Sequence, residues 1–166
     1  MDETIAQNQQ QDGRADFDFI VGRWNVHHRR LREPLTGSVS WEEFDGTTVD
    51  RSIVGGLGNI GEARVNRDSG PVVFTSIRLF NPQSQQWSVY FTNSVRGTLS
   101  TPMIGGFGRG RGEFYAYEPI DEKYIFTRVI WSDITATSFR WEQAYSADNG
   151  RTWETNWIME VTRQQE

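Results

Sequence analysis

From Phe17 onward, apolar and polar residues alternate in short runs that end at turn residues. "GRWNVHHRRLRE" stops at "PLTG", "SVSWEEF" at Asp45-Gly46 and "VVFTSIRLF" at Asn81-Pro82. "TTVDRSIV" runs into a glycine stretch, and "NIGEARVN" follows it. "QWSVYFTNSV", "EFYAYEPI", "KYIFTRVIW", "TSFRWEQAYS" and "WETNWIMEVTR" complete the series. Period-two alternation marks strands, whose successive side chains point to opposite faces. No stretch sustains the 3.6-residue helical period. About ten strands at 8–12-residue spacing describe a sandwich or barrel. "FDFIV" reads as one helical turn leading into the first strand, and "LSTPMIGGFGRGRG" is too glycine-rich to assign. The expected organisation is a flexible N-terminal tail over 1–16 and one β-barrel domain over 17–166.

Composition strengthens the all-β reading. The chain has 166 residues with 7 Trp, 10 Phe, 5 Tyr and 16 Gly, but only five Leu. Aromatic residues fit pleated surfaces, while Leu favours helices. The formal charge of −5 does not suggest nucleic acid, whose binders carry a basic face. The one basic run, His27, His28, Arg29, Arg30 and Arg32, splits between two faces of a strand. There is no cysteine, which removes disulfides and thiol chemistry. "MDETIAQNQQQDGRADF" holds no apolar run, so it reads as neither signal peptide nor membrane span. A cytoplasmic protein is expected.

Two motifs invite functions that their context does not support. Gly56, Gly58 and Gly61 fit G-x-G-x-x-G, but a dinucleotide site needs a strand before the glycines and a long helix after them. "EARVNRDSGP" is too soon broken to be that helix, so Gly55, Gly56 and Gly58 read as bends or bulges. "SADNGRTW" resembles the Asp-box hairpin of sialidases and other propellers. A propeller repeats that motif in each blade; here it occurs once, and it indicates a hairpin joining the last two strands.

Gly22-Arg23-Trp24 opens the first strand, and Arg163 ends the last. This resembles the calycin superfamily of lipocalins, fatty-acid-binding proteins and similar barrels. In that group a G-x-W closes the barrel floor and a basic residue of the last strand lies across the Trp. The ordered set "FDFIVGRWNV…WEEF…RLFNP…QWSVYF…RWEQAYSADNGRTWETNW" is similar to a family of uncharacterised bacterial lipocalin-like proteins. It lacks the T-D-Y motif of true lipocalins. The resemblance implies a single up-and-down antiparallel barrel, with Gly22, Trp24 and Arg163 as its structural closure. Haem-binding relatives keep a histidine in the last strands; none stands there, and no cofactor is expected.

If Trp24 points inward, so do Val26, His28 and Arg30. Other inward sets would be Trp41 with Glu43, Trp87 through Asn93, Phe126 with Arg128, Trp141 with Gln143, and Trp153 through Val161. Arg30, Trp41, Glu43, Asn93, Arg128, Trp141, Gln143 and Trp157 are the candidate ligand-binding residues. The plainer reading pairs Arg128 with Glu43 or Glu142 across the sheet. No metal site is expected, because His27 and His28 face opposite ways. The first functional reading is binding of a small apolar or amphipathic molecule, without nucleic acid or membrane. The alternative is a cofactor-free isomerase, cyclase or hydrolase with His28 as acid/base. The third is a homodimer formed through an open edge or exposed tryptophans.

Overall fold

The structure, a computed structural model, describes residues 12–166. It contains ten strands: β1 (Gly22–Leu31), β2 (Trp41–Ile53), β3 (Gly58–Arg67), β4 (Gly70–Asn81), β5 (Gln86–Asn93), β6 (Met103–Gly108), β7 (Arg111–Ile120), β8 (Lys123–Ser132), β9 (Ser138–Ser146) and β10 (Glu154–Arg163). Each pairs antiparallel with its neighbours in sequence, and β10 pairs with β1 to close the barrel. This is the up-and-down all-β barrel that the alternation and the chain ends indicated. The closed ring leaves no open edge, which removes that basis for a dimer. Among the described residues no helix is long and apolar enough to cross a membrane.

Two details of the strand pattern differ from expectation. Asp45-Gly46 is not a turn; β2 runs through it, with Gly46 opposite Val26 on one side and Val65 on the other. A Cβ on Gly46 would lie 2.6 Å from the Arg64 carbonyl oxygen, so the glycine serves close strand packing. The unassigned stretch supplies β6, whose Gly105 has no room for a Cβ against the Glu113 carbonyl. Gly55 and Gly56 lie in the β2–β3 turn with φ of 60° and 94°, as bend-forming glycines should. Asp148 organises the β9–β10 hairpin. Its carboxylate accepts the Thr152 hydroxyl at 2.6 Å and amide at 2.8 Å, and these bonds help hold its pKa down at about 2.

The end of the barrel holding Gly22 and Arg163 is its floor. A 3-10 turn, Asp18–Ile20, leads into β1 at this end, with Ile20 buried. Phe17 is fully buried and packs edge-on against Trp87, Trp131 and Phe107 at 4.8–5.0 Å between ring centroids. The Trp24 indole donates to the Ile20 carbonyl at 2.8 Å. Arg163 lies 4.0 Å over the Trp24 ring and donates to the carbonyls of Val21, Phe19 and Ala136. Gly22 has φ 141°, and a Cβ there would overlap the Arg163 guanidinium. A cation over an indole contributes roughly 0.5–2 kcal/mol, and the three carbonyls fix its direction. Of the expected tail, residues 1–11 lie outside the described residues. Asp12–Asp16 form a turn against the barrel, where the Gly13 carbonyl accepts from the Trp87 indole at 3.0 Å.

Candidate functional site

Above the floor the barrel is hollow. The cavity measures about 250 Å³ and extends toward the opposite end, the mouth, where β1 finishes at Leu31 and β10 begins at Glu154. A single buried water needs only ~15 Å³, so this space exceeds a packing defect by an order of magnitude. Its wall takes Val26 and His28 from β1, Phe91 from β5, Trp141 from β9, and Trp157 and Met159 from β10. The Trp141 and Trp157 rings meet edge to face at 5.9 Å.

His28, Arg30, Asn93, Trp141, Gln143 and Trp157, all anticipated from alternation, line this cavity. Trp41, Glu43 and Arg128 were expected beside them but stand on the outer face. In β2 the inward residues are Thr48 and Asp50, which places the odd-numbered positions outside. Trp41 there carries Arg29 over its ring at 5.5 Å, and Glu43 pairs with Arg29 at 3.2 Å. In β8 both faces are apolar, and Trp131 rather than Arg128 lines the hollow. Arg128 lies 4.3 Å over Trp153 outside, and Glu142 is held instead by Arg140 at 3.0 Å.

His28 is almost fully buried, stacked on Phe44 at 4.6 Å. Its Nδ1 stands 3.1 Å from the Trp157 indole nitrogen. An indole N–H only donates, so Nδ1 is the acceptor and the neutral ring carries its proton on Nε2. Burial pushes the imidazole pKa down to about 4, so the ring is neutral at physiological pH. Nε2 is sealed from solvent and has no partner. His27 faces outward and bonds Asp45 at 2.7 Å. Among the described residues no group of three or more His, Cys, Asp or Glu gathers to hold a metal.

Several interior polar residues had gone unread. Deep in the wall, Arg78 donates to Asp50 at 2.9 Å and Asn59 at 2.5 Å, and Thr48 donates to Asp50 at 2.9 Å. A Cβ on Gly61 would overlap the Asp50 carboxylate, so this glycine makes room for a buried ion pair. That pairing of a charged inward position with a facing glycine was a readable signal. Higher up, Gln143 donates to the Asn156 side-chain oxygen at 2.9 Å and to the Tyr145 hydroxyl at 3.2 Å. Asn156 sits at a β-bulge between Thr155 and Trp157. Bulges redirect side chains without a reliable sequence mark. Glu118 also lines the hollow; burial raises its carboxyl pKa while the Thr127 hydroxyl donates to it at 2.9 Å. At the rim, Glu42 faces three cations, Arg67, Arg30 and Arg32.

No protein-family model and no curated protein sequence matches the chain. Among solved structures, the S-type phycobiliprotein lyase CPES from Guillardia theta is similar at a TM-score of 0.62 and 9% identity, over 95% of this chain and 97% of that one. EF1p2_mFAP2b bound to DFHBI matches at a TM-score of 0.49 and 13% identity, over 93% of this chain and 100% of that one. At 9% identity the likeness to the lyase is one of fold. It agrees with the calycin-type barrel indicated by Gly22, Trp24 and Arg163.

Proposed function

We propose that the barrel binds one small, largely apolar molecule in its hollow. The observation that carries this reading is the contrast between a sealed floor and an aromatic-walled space of about 250 Å³ left open above it. Burying an apolar ligand against such walls is favourable, at roughly 25 cal/mol per Å² removed from water. Trp141, Trp157 and Phe91 would hold the body of the ligand, with Arg30, Asn93 and Gln143 orienting it. That neighbouring lyase acts on a phycobiliprotein by its name, and its likeness adds a fold that surrounds an interior. In this reading His28 has no acid/base role. Its Nδ1 is engaged by Trp157, its Nε2 is sealed, and its pKa lies far below neutrality.

Tryptophan fluorescence tests the proposal. Three of the seven tryptophans, Trp131, Trp141 and Trp157, line the hollow. Titration with the neutral probe 2-naphthylmethanol is expected to quench them saturably. The amplitude should fall in Trp157→Phe and persist in Trp153→Phe, whose ring is outside. Absence of saturable quenching by this and other small apolar probes would overturn binding in the hollow.

A further inference from the structure

The polar end of the hollow holds two arginines with little anionic company and one buried amide nitrogen without a partner. Arg30 lines it, with its Cζ 5.3 Å from the centre of the Trp157 ring. Its one anionic neighbour is Glu42, at 3.5 Å, which is long for a hydrogen bond. Glu42 is already in tight contact with Arg67 and is shared with Arg32, so one carboxylate serves three guanidiniums. Arg96 lines the same end, forms no salt bridge among the described residues, and acts on Glu118 only through space. Asn156, 2% exposed, lines the same hollow; its oxygen is taken by Gln143 and its Nδ2 has no partner. Buried polar groups are normally paired, and an exception calls for an explanation.

All these open valences point to one kind of partner. Guanidinium and amide N–H groups only donate. The group that completes them is therefore an acceptor. Because Arg30 and Arg96 are cationic and Glu42 is shared among three guanidiniums, it is also an anion. Glu118 competes weakly, because burial raises its pKa and Thr127 already donates to it. A planar carboxylate matches the planar fork of an arginine. Below this ring of donors the wall is mainly Trp141, Trp157, Phe91 and Met159, and the polar groups deeper in it, Asp50, Arg78 and Thr48, are bonded to one another. Building on the binding reading above, we infer that the natural ligand is a small amphiphilic carboxylate. Its apolar body lies toward the floor, and its head lies at the mouth between Arg30, Arg96 and the Asn156 amide.

The test uses three probes with one ring system, 2-naphthoate, 2-naphthylmethanol and 2-naphthylmethylammonium, titrated into the whole protein by tryptophan quenching at low salt. The carboxylate is expected to bind about tenfold more tightly than the alcohol, the scale of one charge-assisted hydrogen bond. The ammonium should bind most weakly, and added salt should narrow the gap. Arg30→Gln should lower naphthoate affinity about tenfold and alcohol affinity far less, whereas Arg140→Gln on the outer wall should change neither. If the alcohol matches the carboxylate in the wild-type protein, the head-group assignment falls and the hollow remains a binding site. If Arg30→Gln weakens both probes equally, the assignment also falls. If none of the three binds, both readings fall. The wild-type ranking decides the matter even if Arg30→Gln does not fold.

Discussion

The two ends of this barrel obey opposite rules. At the floor the polar groups of the closing residues are satisfied: Arg163 by three carbonyls, the Trp24 indole by Ile20, and the Trp87 indole by Gly13. At the mouth, Arg30 and Arg96 surround a cavity, and the Asn156 amide is left without an acceptor. The floor gains from each of its contacts at the moment of folding. The mouth leaves Asn156 Nδ2 buried without a partner and bears a desolvation cost there, while Arg30 and Arg96 reach solvent. Stability should therefore be concentrated at one end and recognition at the other.

The hardest blow to that division is Trp24→Ala. Trp24 is fully buried, and its loss leaves a cavity beneath Arg163. Large-to-small changes of this kind cost about 3–5 kcal/mol. Urea unfolding should show a drop of that size. A loss under ~1 kcal/mol would mean that the floor is not where the fold is held.

The next effect separates the middle of the barrel from both ends. His28 is neutral and buried, with a pKa lowered from 6.5 to about 4. The unfolded chain then binds the proton more readily than the folded one. The stabilisation is fully present above pH 6.5 and is lost as pH falls toward and through 4. Its ceiling is roughly 3 kcal/mol for a shift of this size. Subtracting the pH profile of His28→Gln from that of the wild type isolates the effect from Glu118, whose raised pKa acts in the opposite sense. Parallel profiles between pH 7 and 4 would show that the imidazole reaches water.

The floor was legible in the sequence and the mouth only in part, for physical reasons. Closure depends on two chain ends, Trp24 and Arg163, whose meeting is what the resemblance to calycin barrels implies. Alternation predicts about ten strands and ten are present, but it divides β2 at Asp45-Gly46 and does not resolve β6 among its glycines. Both trace to glycine, which marks a turn and a crowded strand with the same letter. Alternation placed Arg30, Asn93, Trp141 and Gln143 correctly because each strand has one apolar face. It failed in β8, where "IFTRVIW" is apolar on both faces, and in β2, where Trp41 drew attention away from Asp50. In β10 the bulge at Asn156 breaks the alternation, so Trp157 faces the hollow while Trp153 packs outside on Phe126 at 5.2 Å. The residues missed, Asp50, Arg78, Asn156 and Glu118, are polar side chains on inward positions. Their pairing is a property of register, which a single sequence does not print.

A smaller effect compares two arginines directly, starting with the floor. Arg163→Met keeps the stem over Trp24 but removes the charge and three hydrogen bonds. Two of the three carbonyls lie in the exposed part of the seam, where water can replace the donor. A loss of about 2 kcal/mol is expected in urea unfolding, within the range for charge-assisted bonds. No change would show that solvent serves these carbonyls as well as the guanidinium does.

The smallest effect is expected from the matching change at the mouth. Arg30→Met retains an apolar stem beside Trp157 and removes a charge that Glu42 barely compensates at 3.5 Å. Glu42 keeps Arg67 and Arg32, so no buried carboxylate is orphaned. Partly exposed ion pairs contribute about 0–1 kcal/mol, and the desolvation relieved here offsets even that. Unfolding free energy should therefore stay within about 0.5 kcal/mol of the wild type, and a slight gain is the natural direction. Side by side, Arg163→Met and Arg30→Met ask whether one residue type serves two ends differently. Equal losses would make the mouth a structural element like the floor, and its unpaired donors would then need a reason other than a ligand.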